Sequence, residues 1–280
     1  MGDIWSRPAG ASTNNALDYW EYFGQRLVEL ADIGQGADVL DVGAGQGSSF
    51  FPEAKKVGPG GKVVGIELCR HCMGITFGKI KNQKLDNAWI LNMDAGYMGF
   101  GNDTFDFALC GFVGWYYCFD FTAGRFTDED IRAREIARVL KKGGKVGISS
   151  WARQDDIEWL DGMIRRYLNM DEPAEGELPG NDQLVYSKES KEGLEKILSA
   201  AGFRGIEILE ETETFFSKNK ETWWEQMRRV GWHDHFEKIK SKDKGSFEKL
   251  KVEVFEGLEH FREEDGIRFS KSVLFAFGTK

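Results

Sequence analysis

No stretch of this chain approaches the about 18 unbroken apolar residues that a membrane span needs, and its polar N-terminus does not read as a secretion signal. The expectation is a cytoplasmic protein that does not associate with membranes. Cysteine is scarce: 4 in 280 residues, Cys69, Cys72, Cys110 and Cys118, too few for a disulfide scaffold. Basic charge is also in deficit, with 37 Lys and Arg against 46 Asp and Glu and a net charge of −9. That balance argues against a protein that holds nucleic acid by charge. Aromatic residues, by contrast, are plentiful: 9 Trp, 7 Tyr and 21 Phe. Much of this must be core, and the excess directs attention to an apolar pocket.

The length suits one well-buried core, or one core with an inserted cap. Leu17–Ala31 reads as an amphipathic helix, with Tyr19, Phe23, Leu27 and Leu30 at helical spacing. Short apolar strands then recur at Ala37–Val42, Lys62–Leu68, Ala88–Asp94 and Phe105–Phe112. A helix over Asp128–Leu140 is ended by the KKGG segment, and Lys145–Ser150 is a fifth strand. This alternation predicts an α/β fold built on a mostly parallel sheet with helices on both faces. Beyond Trp151 the rhythm changes. Asp171–Asp182 reads as a loop, Ser187–Ala201 as a helix, Ile206–Phe216 as a strand or strand pair, Thr222–Phe261 as a charged helical block, and Ser272–Gly278 as the last strand.

The strongest chemical signal is Val39–Gly47, VLDVGAGQG. A buried strand delivers Asp41 just before Gly43, Gly45 and Gly47. Glycine lets the backbone turn sharply and lets a ligand approach without a Cβ clash. The helix that follows would aim free N–H groups at that ligand. A dinucleotide fingerprint wants G-x-G-x-x-G; here the third glycine comes one residue early and Ser48 takes its place. A carboxylate beside the turn would repel a pyrophosphate but attract an ammonium group, as on the amino-acid end of S-adenosylmethionine. Glu67 follows about 20 residues later at the end of the second strand, where α/β folds grip a ribose diol. Asp94, ending the third strand, is suited to accept an adenine amine beside Met93.

With these residues on the page, VLDVGAGQG, Glu67, NMDAGYMGFGNDTFDFAL and REIARVLKKGGKVGISSW resemble the successive motifs of class I S-adenosylmethionine-dependent methyltransferases. They are most similar to the ubiquinone- and menaquinone-biosynthesis-like branch that acts on small molecules. The resemblance spans roughly Tyr19 to Trp151. It implies a Rossmann-like sheet of seven strands with the last antiparallel, and S-adenosylmethionine as cofactor. It places Tyr19, Asp41, Gly43, Ala44, Gly45, Gly47, Glu67, Leu68, Asp94, Ala95, Cys110 and Gly111 around that cofactor, with Cys110 and Gly111 beneath the sulfonium. The chain departs from the family in carrying Glu67-Leu-Cys69 where Asp-x-Ser is usual, and Lys142 where a proline is usual.

The expected reaction is methyl transfer to a small-molecule acceptor by direct in-line displacement. The expected organisation is one methyltransferase domain over 1–280, a helical cap inserted at 222–261 and an N-terminal helical segment at 1–31 over the cofactor. Trp115, Tyr116, Trp151 and Trp232 are candidates for the acceptor pocket. Tyr116 and His233 are weak candidates for a catalytic group. Cys69-Arg-His-Cys72 invites a zinc or soft-metal reading, but a second C-x-x-C is missing, so free thiols without a structural metal are expected. A nicotinamide-dependent oxidoreductase on the same architecture, a cofactor-binding protein without activity, and other S-adenosylmethionine chemistry stand as alternatives. The acceptor atom and the oligomeric state are not legible.

Overall fold

The computed structural model describes residues 19–115, 118–120, 125–127, 130–168, 189–229 and 232–280. Its strands, in chain order, are β1 (Asp38–Val42), β2 (Lys62–Glu67), β3 (Ala88–Asn92), β4 (Phe105–Gly111), β5 (Cys118–Asp120), β6 (Arg125–Thr127), β7 (Leu140–Gln154), β8 (Arg204–Ser217), β9 (Arg262–Glu263) and β10 (Gly266–Thr279). The central sheet runs β3-β2-β1-β4-β7-β10-β8, with β9 pairing β10 at the side. The first five strands on this path are mutually parallel, and β10 is antiparallel to both β7 and β8. The expected seven-strand order with an antiparallel last strand is therefore present. The chain steps outward from β1 through β2 to β3, then returns to place β4 on the other side of β1. That reversal opens a crevice beyond the carboxyl ends of β1 and β4, where open α/β sheets bind ligands.

Each face of the sheet is covered because the neighbouring helices carry an apolar stripe. On one face lie α1 (Tyr19–Leu30), α2 (Phe50–Val57) and α3 (Arg70–Gln83), which pack Phe23, Leu27, Phe50, Val57 and Ile80 against Val39, Val63, Leu109 and Phe275. On the other, α4 (Ile131–Val139) and α6 (Lys191–Ala200) bury Ile136, Val139, Leu194 and Ile197 against Leu40, Ile66, Ala108 and Ile148. Helix α1 crosses the start of α2 so closely that a Cβ on Gly24 would sit 2.5 Å from the Ser48 carbonyl carbon. Only glycine permits that approach.

Several boundaries differ from the sequence expectation. The KKGG segment does end α4, but β7 starts there at Leu140: the strand pairs Phe105 with Leu140, then resumes at Phe107 with Lys145. The intervening residues form a bulge in which Gly143 has φ of +79°. A helix the sequence reading did not anticipate, α5 (Asp155–Leu168), follows β7 directly. Its acidic first turn and basic last turn suit the helix dipole. The charged block divides into α7 (Lys220–Arg229), α8 (His233–Lys242) and α9 (Lys244–Gly257), and Asp243 caps α9 by accepting from Gly245 and Ser246 N–H. These helices share a third core with α5, built from Trp223, Trp224, Phe236, Leu250, Val254 and Leu160. Strand β10 extends well before Ser272 because β8 pairs it from Ile267 onward. The β5–β6 hairpin was also not anticipated. The loop expected at Asp171–Asp182 lies outside the described residues. No helix among the described residues is long and apolar enough to cross a membrane.

Candidate cofactor and acceptor site

The glycine turn stands at the carboxyl end of β1, at the edge of the crevice. Gly43, Gly45 and Gly47 have φ of +73°, +52° and +96°, the left-handed region that side chains with a Cβ rarely adopt. Gly43 and Ala44 both donate to the Ile66 carbonyl, at 2.9 and 3.0 Å, which pins the turn to β2. Helix α3 holds it from the other side: Thr76 Oγ1 donates to the Gly45 carbonyl at 2.7 Å and Lys79 Nζ to the Gln46 carbonyl at 2.9 Å. The sequence reading missed both residues, which lie in a helix without a recognisable motif.

Glu67 closes the arrangement. Its Oε2 accepts from Gly45 N–H at 2.9 Å and its Oε1 from Cys69 N–H at 2.7 Å. Each oxygen keeps a second lone pair for a ligand hydroxyl. Beside it Leu68 is 56% exposed, an apolar surface with no burial to explain it. Asn92 fastens this corner by donating to the Glu67 and Leu68 carbonyls at 2.8 and 3.1 Å. Asp94 is exposed; its Oδ1 caps the next turn through Gly96 N–H at 2.8 Å. Ala95 is half-buried against the core. These residues lie at and just beyond the carboxyl ends of β2 and β3.

Asp41 lies deeper than the sequence suggests. It is fully buried below the turn, with Oδ2 accepting from Ser49 Oγ at 2.9 Å. Oδ1 has no hydrogen-bond partner. Burial pushes this carboxyl up to about 7; the negative Glu67 adds to the rise, and the Ser49 hydroxyl opposes it. An orphaned buried carboxylate oxygen below a glycine turn fits a ligand with a cationic end. Cys110 is fully buried and Gly111 half-buried at the end of β4, and burial drives the Cys110 thiol well above its ordinary value.

An aromatic box stands over the strand ends. Trp151 stacks on Phe112 at 4.3 Å and 25°, and Trp20 meets both edge-on at 5.2 and 5.0 Å. Tyr19 packs against Trp151 and Phe215 at 5.7 and 5.9 Å. Phe112 is held at φ of +54°, a strained conformation for a residue with a side chain. Under the box, Lys271 Nζ sits 4.5 Å from the Tyr19 ring centroid and forms a buried ion pair with Asp156 at 2.6 Å. Sequence inspection singled out Tyr19, Trp151 and the aromatic run that begins with Phe112, but not Trp20, Phe215, Lys271 or Asp156. The one available signal was the aromatic residue ending the β4 motif.

The other candidates are dispersed. Trp115 is wholly buried in the core with the Arg132 guanidinium 4.7 Å from its ring. Trp232 is 8% exposed inside the separate core of the α7–α9 block, against His235 at 5.3 Å. His233 is exposed at the start of α8. Tyr116 lies outside the described residues. Cys69 caps α3 by accepting from Cys72 N–H at 3.2 Å, and its thiol lies 2.7 Å from the Cys72 sulfur. Burial drives the Cys72 thiol up to about 12. Cys69, Cys72 and Cys110 are free, and no group of three or more His, Cys, Asp or Glu among the described residues is arranged to hold a metal ion.

A methyltransferase domain model matches residues 39–144. The chain is 28% identical over 163 residues to nocamycin O-methyltransferase of Saccharothrix syringae, a match covering 58% of this chain and 55% of that protein's length. It is 25% identical over 205 residues to demethylmenaquinone methyltransferase of Staphylococcus aureus, covering 70% and 80% respectively. In fold it is similar to phosphoethanolamine N-methyltransferase 2 of Haemonchus contortus, solved with S-adenosylhomocysteine (TM-score 0.50, 19% identity, 92% of this chain and 52% of that one). The domain match and these relatives make the chain similar to class I S-adenosylmethionine-dependent methyltransferases.

Proposed function

We propose that this chain is a methyltransferase that acts on a small-molecule acceptor by direct displacement, inside a pocket bounded by the aromatic box. The observation that carries the reading is the position of the box. Tyr19, Trp20, Phe112 and Trp151 stand at the carboxyl ends of β4 and β7, next to the glycine turn. The bound cofactor supplies a methyl group already activated by its sulfonium. Asp41 and the glycine turn would hold its methionine end, Glu67 its ribose, and Leu68 with Asp94 its adenine. The rings then have two tasks. They exclude water, and their π-faces favour positive charge near the transferred methyl by about 0.5–2 kcal/mol each. An acceptor oriented in such a dry site needs little further help, because alignment alone supplies much of the barrier reduction. We assign no general base: His233 is exposed on the cap, and Tyr19 is the hydroxyl-bearing ring of the box.

The α7–α9 block is proposed as the cover of the acceptor site and α1 as a wall over the cofactor. The block shares its hydrophobic core with α5 and with Ile267 and Phe269 of β10, so it would cover the site from that end of the sheet. The test is transfer of isotope-labelled methyl from S-adenosylmethionine into fractionated cell extract. Label is expected in the low-mass fraction. Label confined to protein or nucleic acid would overturn the small-molecule reading.

A further inference from the structure

Helix α2 buries Phe50, Glu53, Ala54 and Val57 on the face it turns to the sheet. Three of these are the apolar residues such a stripe requires; the fourth is a carboxylic acid. Glu53 is 0% exposed, and neither of its carboxyl oxygens has a hydrogen-bond partner. Asp41 is also 0% exposed, with Oδ1 unpartnered, and Ser149 Oγ is a fourth buried oxygen in the same condition. The serines lie close by: a Cβ placed on Gly111 would meet Ser49 Oγ at 3.4 Å and Ser149 Oγ at 3.9 Å. The result is a polar cluster below the glycine turn, enclosed by α2, β1, β4 and β7.

The charges around this cluster are mostly negative. Asp41 faces Glu53 from α2 and Glu67 from β2. Cys110 on β4 feels Asp41, Glu53 and Asp130 as anions and Arg132 as the cation, and Arg132 is paired to Asp130 at 2.6 Å. Among the described residues no ion pair involving Asp41 or Glu53 is present. Burying one uncompensated carboxylate is costly, and two neighbouring ones do not both ionise. A structural role on the α2 stripe would call for leucine.

We propose that Glu53 and Asp41 hold one proton between them below the turn and release it to solvent when the cationic methionine end of the cofactor binds above Asp41. This rests on the cofactor placement given above. Glu53 is then a positioning residue: it keeps the shared proton beside Asp41 in the free protein, and the bound cation replaces that proton as the countercharge. Burial lifts Asp41 up to about 7 and Glu53 well above its usual range, so the proton is present near neutrality. A cation a few ångströms away favours the carboxylate and drives the proton off. Cofactor affinity therefore rises with pH, by up to about tenfold per pH unit below the release point, and levels off above it.

The test is calorimetry of S-adenosylhomocysteine and S-adenosylmethionine binding near pH 7, in buffers of differing ionisation enthalpy. The slope of apparent binding enthalpy on buffer enthalpy counts the protons released. Release of up to one proton per cofactor is expected for the wild type. E53Q keeps the shape of the side chain but carries no titratable proton, so its release is expected to fall near zero. A wild-type slope of zero, which needs no variant to fold, or an unchanged slope in E53Q, overturns the proposal. No binding of either ligand overturns the cofactor placement together with it.

Discussion

Replacing Lys271 by methionine tests the energetic centre of the acceptor side. Lys271 and Asp156 are 2% and 4% exposed at the side chain, and their Nζ–Oδ1 distance is 2.6 Å. The partners come from β10 and from the first turn of α5, whose positive helix end also favours the Asp156 carboxylate. Burial pulls the Lys271 ammonium below the ordinary lysine value, and the attraction of Asp156 offsets part of that. Such a pair contributes little net stability against a well-packed apolar replacement, because desolvation cancels most of the attraction. Removing one partner is different: Asp156 would be left charged and buried without a cation. K271M keeps most of the lysine stem and its packing under Tyr19, so the loss isolates the charge. Its expected cost is about 3–5 kcal/mol, measured by urea unfolding. The double variant K271M/D156L is expected to recover all but about 1 kcal/mol, since no unpaired charge remains. A single-variant cost below about 1 kcal/mol, or a double variant as unstable as the single, would refute the reasoning.

Three further outcomes follow from the site. Glu67→Ala removes the acceptor that ties Gly45 to Cys69 and the proposed ribose ligand; calorimetry should show S-adenosylhomocysteine binding weakened by about 1.5–3 kcal/mol. Gly47→Ala sets a Cβ into the Phe51 ring at φ of +96°, and should weaken cofactor binding at least about tenfold or prevent folding, as read by circular dichroism beside calorimetry. Trp232→Ala opens a hole in the core of the α7–α9 block, which is separate from the two cores flanking the sheet. It should lower turnover while S-adenosylhomocysteine affinity stays within about threefold; an equal loss of both would make the block part of the cofactor domain.

What the sequence by itself determined is the part of this protein that rests on local physics. The alternation of strands with helices, the three left-handed glycines and the acids at the ends of β1 and β2 are all readable along the chain, because backbone sterics and short apolar runs act over a few residues. The cofactor rim follows from them, since a parallel sheet carries the ends of successive strands to one edge. Only the tertiary structure decided how deep Asp41 lies, and that Glu53, which continues a helical stripe, is an acid in an apolar place. Only the register of β7, β10 and β8 decided that Lys271 meets Asp156 across 115 residues, under rings supplied by α1, β7 and β8. Those contacts join residues whose spacing in sequence has no period. They are set by the long antiparallel pairing that carries β10 past the parallel sheet, and that pairing depends on chain segments folding against one another.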